Sequence, residues 1–220
     1  MRASFATLAA VVLIALVTAG CSSGGGGGTE GSGNVQTQTR QVPPFTAIDF
    51  SGAGTVTVEQ TGTDSLQVEA DENIQPLLTS EVQGTTLKLG VRPDANIGRA
   101  TVNYRITVAQ LGGIVLSGAG TVTATGVDGA DLSLANSGAG SVTVSGRTEA
   151  LNVDLIGLGA VDARGLVAQT ADVSVGGAGT ATVNAARTLD ARITGVGNIV
   201  YVGNPAVTQN VSGFGTVSRG

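Results

Sequence analysis

The chain has 220 residues, enough for one domain with a sizeable core and hardly enough for two. With 35 glycines, 3% aromatics and no histidine or tryptophan, a thick sandwich core of large side chains is excluded, and a narrow core of stacked Val, Ile, Leu and Ala fits better. A net charge of −5 with only 11 Lys and Arg leaves no phosphate-neutralising stripe, so nucleic acid is not an expected partner.

The chain opens with Arg2, an apolar run from Ala6 to Val17, and then Thr18-Ala19-Gly20-Cys21. A basic start, a short apolar stretch and small residues make a secretory signal. The run is shorter than the roughly 20 apolar residues a membrane span needs. A plain secretory peptide or a buried core helix would also use such a run. Against both, the only cysteine follows Ala-Gly directly and has no disulfide partner. The segment resembles a bacterial lipobox, with Thr18 standing where leucine is usual. The resemblance implies that residues 1–20 are a signal peptide, and that Cys21 carries a palmitate-type lipid as the mature N-terminus. Residues 21–40, which hold five consecutive glycines, read as a flexible tether. Its reach is roughly 25 Å on average. The expected location is the cell envelope, anchored by lipid and facing periplasm or exterior.

Residues 41–220 form the folded unit, and its first half has blurred patterning. Period-two alternation is visible at Leu87-Lys-Leu-Gly-Val91 and at Val102-Asn-Tyr-Arg-Ile-Thr-Val108. Asp71 to Leu78 reads as a short helix or loop, and the path of residues 72–100 stays open. The 66 residues from Gly52 to Gly118 leave room for about three rungs at the period seen further on.

From there the chain repeats. A Gly-x-Gly unit starts at Gly52, Gly118, Gly138, Gly157, Gly177, Gly195 and Gly213, and from Gly118 onward the intervals are 20, 19, 20, 18 and 18 residues. Four residues into each unit lies an apolar column: Val56, Val122, Val142, Val161, Ala181, Ile199 and Val217. A second strand carries Leu132, Leu151, Ala171, Leu189 and Val207, followed two residues later by Leu134, Val153, Val173 and Ala191, until Gln209 breaks the column. Each rung thus has at least two half-buried strands joined by glycine corners, where positive φ or close backbone approach is tolerated. Stacked rungs of 18–20 residues make an all-β, right-handed parallel β-helix, or β-solenoid.

The layout from Phe45-Thr-Ala-Ile48 through Thr86-Leu-Lys-Leu89 and Val108-Ala-Gln-Leu111 to the Ser-Gly-Ala-Gly repeats resembles the head GIN domain family. The string Gly197-Asn-Ile-Val-Tyr201-Val-Gly203 is similar to that family's C-terminal signature. Ala109 departs from it, standing where proline is common. The resemblance covers about residues 42–217. It implies a β-helical fold, often lipid-anchored, under the label of auto-transporter adhesin.

Without histidine, no Ser-His or Cys-His nucleophile can form, and the commonest general base is missing. The Gly-x-Gly units never extend to a dinucleotide fingerprint, because the sixth residue is Thr, Asp, Val or, in the last unit, Ser, and never Gly. Gly176-Gly-Ala-Gly-Thr180 begins like a calcium-binding nonapeptide but lacks the aspartate and the nine-residue period. Two outward surfaces remain. Thr55/Thr57, Thr121/Thr123, Ser141/Thr143 and Thr180/Thr182 form a hydroxyl ladder similar to the Thr-x-Thr arrays of insect antifreeze proteins, although threonine also simply suits an exposed strand. On the other strand Asp172 and Asp190 should stack, with Asp154, Ser174 and Arg192 beside them. Carboxylates one rung apart could hold a cation or lean on Arg192, and pectate-lyase-like β-helices use such ladders; solvated charges on an open face are the plainer reading.

The reading that follows is a non-enzymatic, lipid-anchored envelope protein presenting a rigid β-helix for adhesion or assembly. No catalytic residue, metal or cofactor is expected, and Asp154, Asp172, Asp190 and Arg192 are the one candidate surface site. Expected partners are the membrane through the N-terminal lipid, an envelope protein or glycan, and further copies through open solenoid ends. A polysaccharide-binding or polysaccharide-degrading protein using the Asp column is the alternative, and a structural or ice-interacting threonine surface the third.

Overall fold

The computed structural model describes residues 28–220. The signal peptide and Cys21 lie outside these residues. Over the described residues the fold is all-β: 15 strands join into one sheet system, with a single 3-10 turn at Gln75–Leu77 and no longer helix.

The regular part consists of four long parallel strands, β9 (Thr121–Asn136), β10 (Ser141–Leu155), β11 (Ala160–Val175) and β12 (Thr180–Ile193). Each is a nearly complete rung, paired in register with the rungs on either side. The expected columns are in place: Val142 pairs Val122 and Val161, and Leu151 pairs Leu132 and Ala171, all buried. This is a parallel β-solenoid with a narrow aliphatic core. Between the two expected segments lies a third inward-facing one, which carries Val127, Leu166, Ala168 and Ala185, and Thr148, whose hydroxyl lies 3.1 Å from the carbonyls of both Ala130 and Ala150 and shares its one proton between them.

The drifting period has a local cause. Pairing is continuous through the Gly-x-Gly corner and the first strand segment, and slips only at the second bend, between Val144 and Gly146, Thr143 and Ser145, and Ala163 and Val167, with one further slip between Ala168 and Thr170. Insertions and deletions are taken up there as bulges. The Gly-x-Gly corner is constant because neighbouring rungs touch through their backbones. The amides of Ala119, Ala139, Leu158, Ala178, Val196 and Phe214 each donate to the first glycine carbonyl of the rung below, at 2.8–3.2 Å. A Cβ added to Gly138 would stand 1.9 Å from the Gly118 carbonyl oxygen, and one added to Gly140 would stand 2.0 Å from that of Gly120. Neither glycine has positive φ. Of the two reasons for glycine, close approach is therefore the operative one at the corners from Gly118 onward, while Gly54 in the first corner also has φ +128°.

The N-terminal half departs from simple stacking. β2 (Ala47–Phe50) and β3 (Thr55–Gln60) make a rung that lies between two later ones, since β2 pairs β6 (Thr86–Val91) and β8 (Gly113–Leu116), while β3 pairs β7 (Asn103–Val108) and β9. The chain lays this rung first, runs outward to build β6–β7 beneath it, and returns to β8 above it. The outer end is closed by antiparallel strands: β4 (Ser65–Asp71) on β7, β1 (Val35–Arg40) on β4, and β5 (Leu78–Gln83) on β6. Such caps remove a free sheet edge.

The expected boundary at residue 41 needs correction. β1 and the Thr29↔Ile97 bridge belong to the fold, so more than half of the expected tether, from Thr29 to Arg40, is docked on it. Arg40 fastens this cap, donating to the Leu78 and Gln75 carbonyls at 3.0 Å each, to Ser80 Oγ at 2.8 Å and to Gln75 Oε1 at 3.2 Å. Its guanidinium is held below its ordinary pKa, first by desolvation, with nearby Tyr104 acting the other way. Tyr104 packs edge-on against Phe50, ring centroids 5.7 Å apart. Burial pushes its phenol up to about 12, partly offset by Arg40. At the other end, β13 (Asn198–Val202), β14 (Ala206–Val211) and β15 (Thr216–Arg219) finish the stack. There Val207, 37% exposed, and Val211, 43%, continue buried columns but have no rung beyond them among the described residues.

Candidate functional site

Each rung that has a glycine corner presents an outward strand face on either side of it. The first face carries the hydroxyl ladder. Thr55, Thr121, Ser141, Ala160, Thr180, Asn198 and Thr216 follow one another in register, and beside them run Thr57, Thr123, Thr143, Asp162, Thr182, Val200 and Ser218. Ser141 Oγ lies 3.5 Å from Thr121 Oγ1, and Thr216 Oγ1 donates to Asn198 Oδ1 at 2.9 Å. Thr143 is exposed, Thr123 is only half-exposed and Thr182 is buried. The ladder is therefore less even than a uniform Thr-x-Thr array. Asp162 folds back to accept from the Arg164 amide at 3.0 Å.

The second face carries the acidic column. Asp172 stands opposite Asp190, and Asp154 and Arg192 flank Ser174, as the spacing predicts. Arg192 approaches Asp190 at 3.9 Å, with both side chains about half exposed. That contact is loose, and a pair so exposed contributes little to stability. A shallow depression of about 350 Å³ passes Asp131, Ser133, Asn152 and Asp172. Among the described residues, no group of three or more His, Cys, Asp or Glu side chains is gathered closely enough to hold a metal ion.

Elsewhere on the surface Arg147 grips Asp128 on the neighbouring rung, with Nη2 to Oδ2 at 2.6 Å and Nε to Oδ1 at 3.0 Å. The hydrogen bond holds the Asp128 carboxyl below its ordinary range and raises the arginine. This cross-rung pair was not singled out from the sequence. Its signal is there, since the residues are 19 apart, one rung. One inward position is also polar: Asn136, fully buried in the column of Leu116 and Leu155, donates to the Gly140 carbonyl at 2.9 Å and accepts from the Gly138 amide at 3.1 Å. It ties one glycine corner to the core and is a structural device.

These features define a β-solenoid with extended polar strand faces and no deep cleft among the described residues where acidic and basic groups converge. Residues 44–205 match the family described as "Putative auto-transporter adhesin, head GIN domain", and the chain belongs to that family. No curated protein matches the chain. Among solved structures, an adhesin-labelled protein from Bacteroides fragilis superposes with a TM-score of 0.71 at 26% identity, covering 87% of this chain and 100% of its own. A protein from Parabacteroides distasonis labelled as lipid-binding is similar in fold, with a TM-score of 0.53 at 22% identity over 87% of this chain and 99% of its own. An adhesin-labelled protein of the same species gives 0.50 at 22% over the same shares. Among the described residues no helix is long and apolar enough to cross a membrane.

Proposed function

We propose that this chain is a non-enzymatic adhesion module of the bacterial cell envelope, anchored through a lipid on Cys21 and binding its partner along the hydroxyl-bearing face. The observation that carries the reading is the in-register polar ladder from Thr55 to Thr216 on a member of an adhesin-labelled family. A flat, rigid array of hydroxyls loses little conformational entropy on binding, and suits an extended glycan or a protein strand.

Anchoring is tested by labelling cells with radioactive palmitate. The wild-type chain takes up label and stays with membranes, whereas Cys21→Ser does neither; a labelled Cys21→Ser protein would refute the anchor. Binding is tested by presenting the full chain to a glycan panel and to envelope extract. Thr121→Arg with Thr143→Arg should remove the strongest signal, while Asn152→Arg on the other face should not. Equal loss from both would refute the assignment of the face.

The acidic column supports a second reading, a polysaccharide site using Asp172 and Asp190, because the two are adjacent in register. It requires a calcium-dependent signal on the same panel.

A further inference from the structure

The glycine corner is an uncharged edge along the solenoid. Its seven copies read Ser51-Gly-Ala-Gly54, Ser117-Gly-Ala-Gly120, Ser137-Gly-Ala-Gly140, Ile156-Gly-Leu-Gly159, Gly176-Gly-Ala-Gly179, Thr194-Gly-Val-Gly197 and Ser212-Gly-Phe-Gly215, without one charged residue. The hydrogen-bond ladder described above stacks them in one line. Toward the C-terminal end the line turns strongly apolar: Ile156 is 60% exposed, Leu158 73%, Val196 62% and Phe214 82%. Leu158, Val196 and Phe214 share the middle position of the corner, with Ala178 between the first two and Ile156 beside Leu158; rimmed by the polar ladder on one side and the Asp154–Arg192 face on the other, they mark an interaction surface.

The position of the chain's N-terminal exit says what that surface meets. The rung made by β6 and β7 has residues 92–102 in place of the Gly-x-Gly corner, and this loop lies against Ala53 and Ala119 of the same edge. Thr29 is clamped there, its amide donating to the Asn96 carbonyl and its own carbonyl accepting from Gly98 at 3.0 Å. The chain thus leaves the fold at one end of this edge, on the loop that carries Arg92, Asp94 and Arg99. From Thr29 to Cys21 is eight residues, an average span of about 15 Å for a glycine-rich chain. A lipid at Cys21 would bring this end of the edge to the bilayer, and the apolar side chains further along it would turn the edge rather than a polar strand face toward the lipid. The edge from Ala53 to Phe214 covers six rung steps, roughly 29 Å at the interstrand spacing.

We propose that the glycine corner is a lipid-facing edge: tethered through Cys21, the solenoid lies along the bilayer and sets Ile156, Leu158, Val196 and Phe214 into the boundary between headgroups and acyl chains. This rests on the lipidation proposed above. Binding needs no anionic lipid, since the edge is uncharged except at the tether end, where Glu30, Arg92, Asp94 and Arg99 would sit among headgroups. Both strand faces then stand away from the membrane, open to a partner.

The chain contains no tryptophan, so Phe214→Trp supplies a sole reporter at an exposed position. The full chain, processed in cells, is reconstituted into phosphatidylcholine vesicles and collected by flotation. The Phe214→Trp protein should emit at shorter wavelength than an Asn152→Trp protein, and acyl-brominated phosphatidylcholine should quench it at least about twofold more strongly. Adding Leu158→Ser and Val196→Ser should release that quenching. A protein that floats but shows equal quenching at both reporters overturns the lipid-facing edge and leaves the anchor standing. A blue shift without quenching also overturns it, the edge then being covered by a second copy or another protein. A chain that fails to float overturns the anchor and this inference together.

Discussion

Gly140→Ala tests the principle on which the rungs stack. The added Cβ would stand 2.0 Å from the Gly120 carbonyl oxygen and 2.8 Å from Leu116 Cδ2. Ordinary carbon–oxygen contact needs more than an ångström of extra room, and the obstacle is the backbone of the next rung. Two ladder bonds cross this spot, Ser141 N to Gly120 O at 3.1 Å and Ala160 N to Gly140 O at 3.2 Å. Overpacking costs about 1–3 kcal/mol, and each of the two weakened bonds about 0.5–1.5 kcal/mol, so the substitution should cost roughly 2–6 kcal/mol. Gly84→Ala is the matched control. Gly84 has φ +64° and nothing within 4 Å of an added Cβ, so only backbone strain of about 1–2 kcal/mol applies. Urea unfolding followed by circular dichroism at the strand band measures both. If Gly140→Ala costs no more than Gly84→Ala, close backbone approach is not why these corners are glycine.

Val142→Asp puts a carboxylate without a partner into the core and should destabilise by about 3–5 kcal/mol, while Thr143→Asp, one residue on and outward, should cost under about 1 kcal/mol; thermal melts of the two separate the faces. Tyr104 sets an alkaline limit. Its folded pKa of about 12 lies above the unfolded value near 10, so its contribution is complete below pH ~10 and is lost as pH rises toward 12, about 2–3 kcal/mol in all, and Tyr104→Phe should flatten that part of a stability–pH curve. Asp128 works in the opposite direction: its carboxyl is depressed by Arg147, so what the pair contributes is present above the ordinary carboxylate range and fades as pH falls, and Arg147→Gln should remove that acid dependence in the same titration. Calcium should leave the melting temperature of wild type and of Asp172→Asn alike; a shift confined to wild type would instead favour the polysaccharide reading, since a ligand at a hundredfold excess over its dissociation constant adds about 2.7 kcal/mol.

The repeating rungs were legible because like pairs with like. When a rung stacks on its own copy, one interval in the sequence carries the register, and the columns through Val142 and Leu151 and the Asp172–Asp190 adjacency follow from counting. The third inward segment was not legible, because the slips at the second bend blur its period and it mixes Val127, Gly146 and Leu166 in one column. The acidic face was found by the same counting. The lipid-facing edge was not, because Leu158, Val196 and Phe214 sit at the variable position of a motif read as a turn, and their exposure appears only once the corners are stacked.

By itself, then, the sequence determined the class of fold, the core columns and the outward faces, all of which arise from local alternation and a fixed interval. Tertiary structure alone decided the order of the rungs at the N-terminal end, the antiparallel caps and the docking of residues 29–40. There the paired strands differ in sequence: β2 sits between β6 and β8, and β1 on β4, with no shared motif to announce it. Such pairings are chosen by which apolar faces remain uncovered after the repeats have stacked, and by single fasteners such as Arg40, whose four acceptors come from the segment Gln75–Ser80, some 35–40 residues away. A periodic pattern can specify a rung, but the end of a stack is a boundary, and its solution depends on the shape of everything already folded against it.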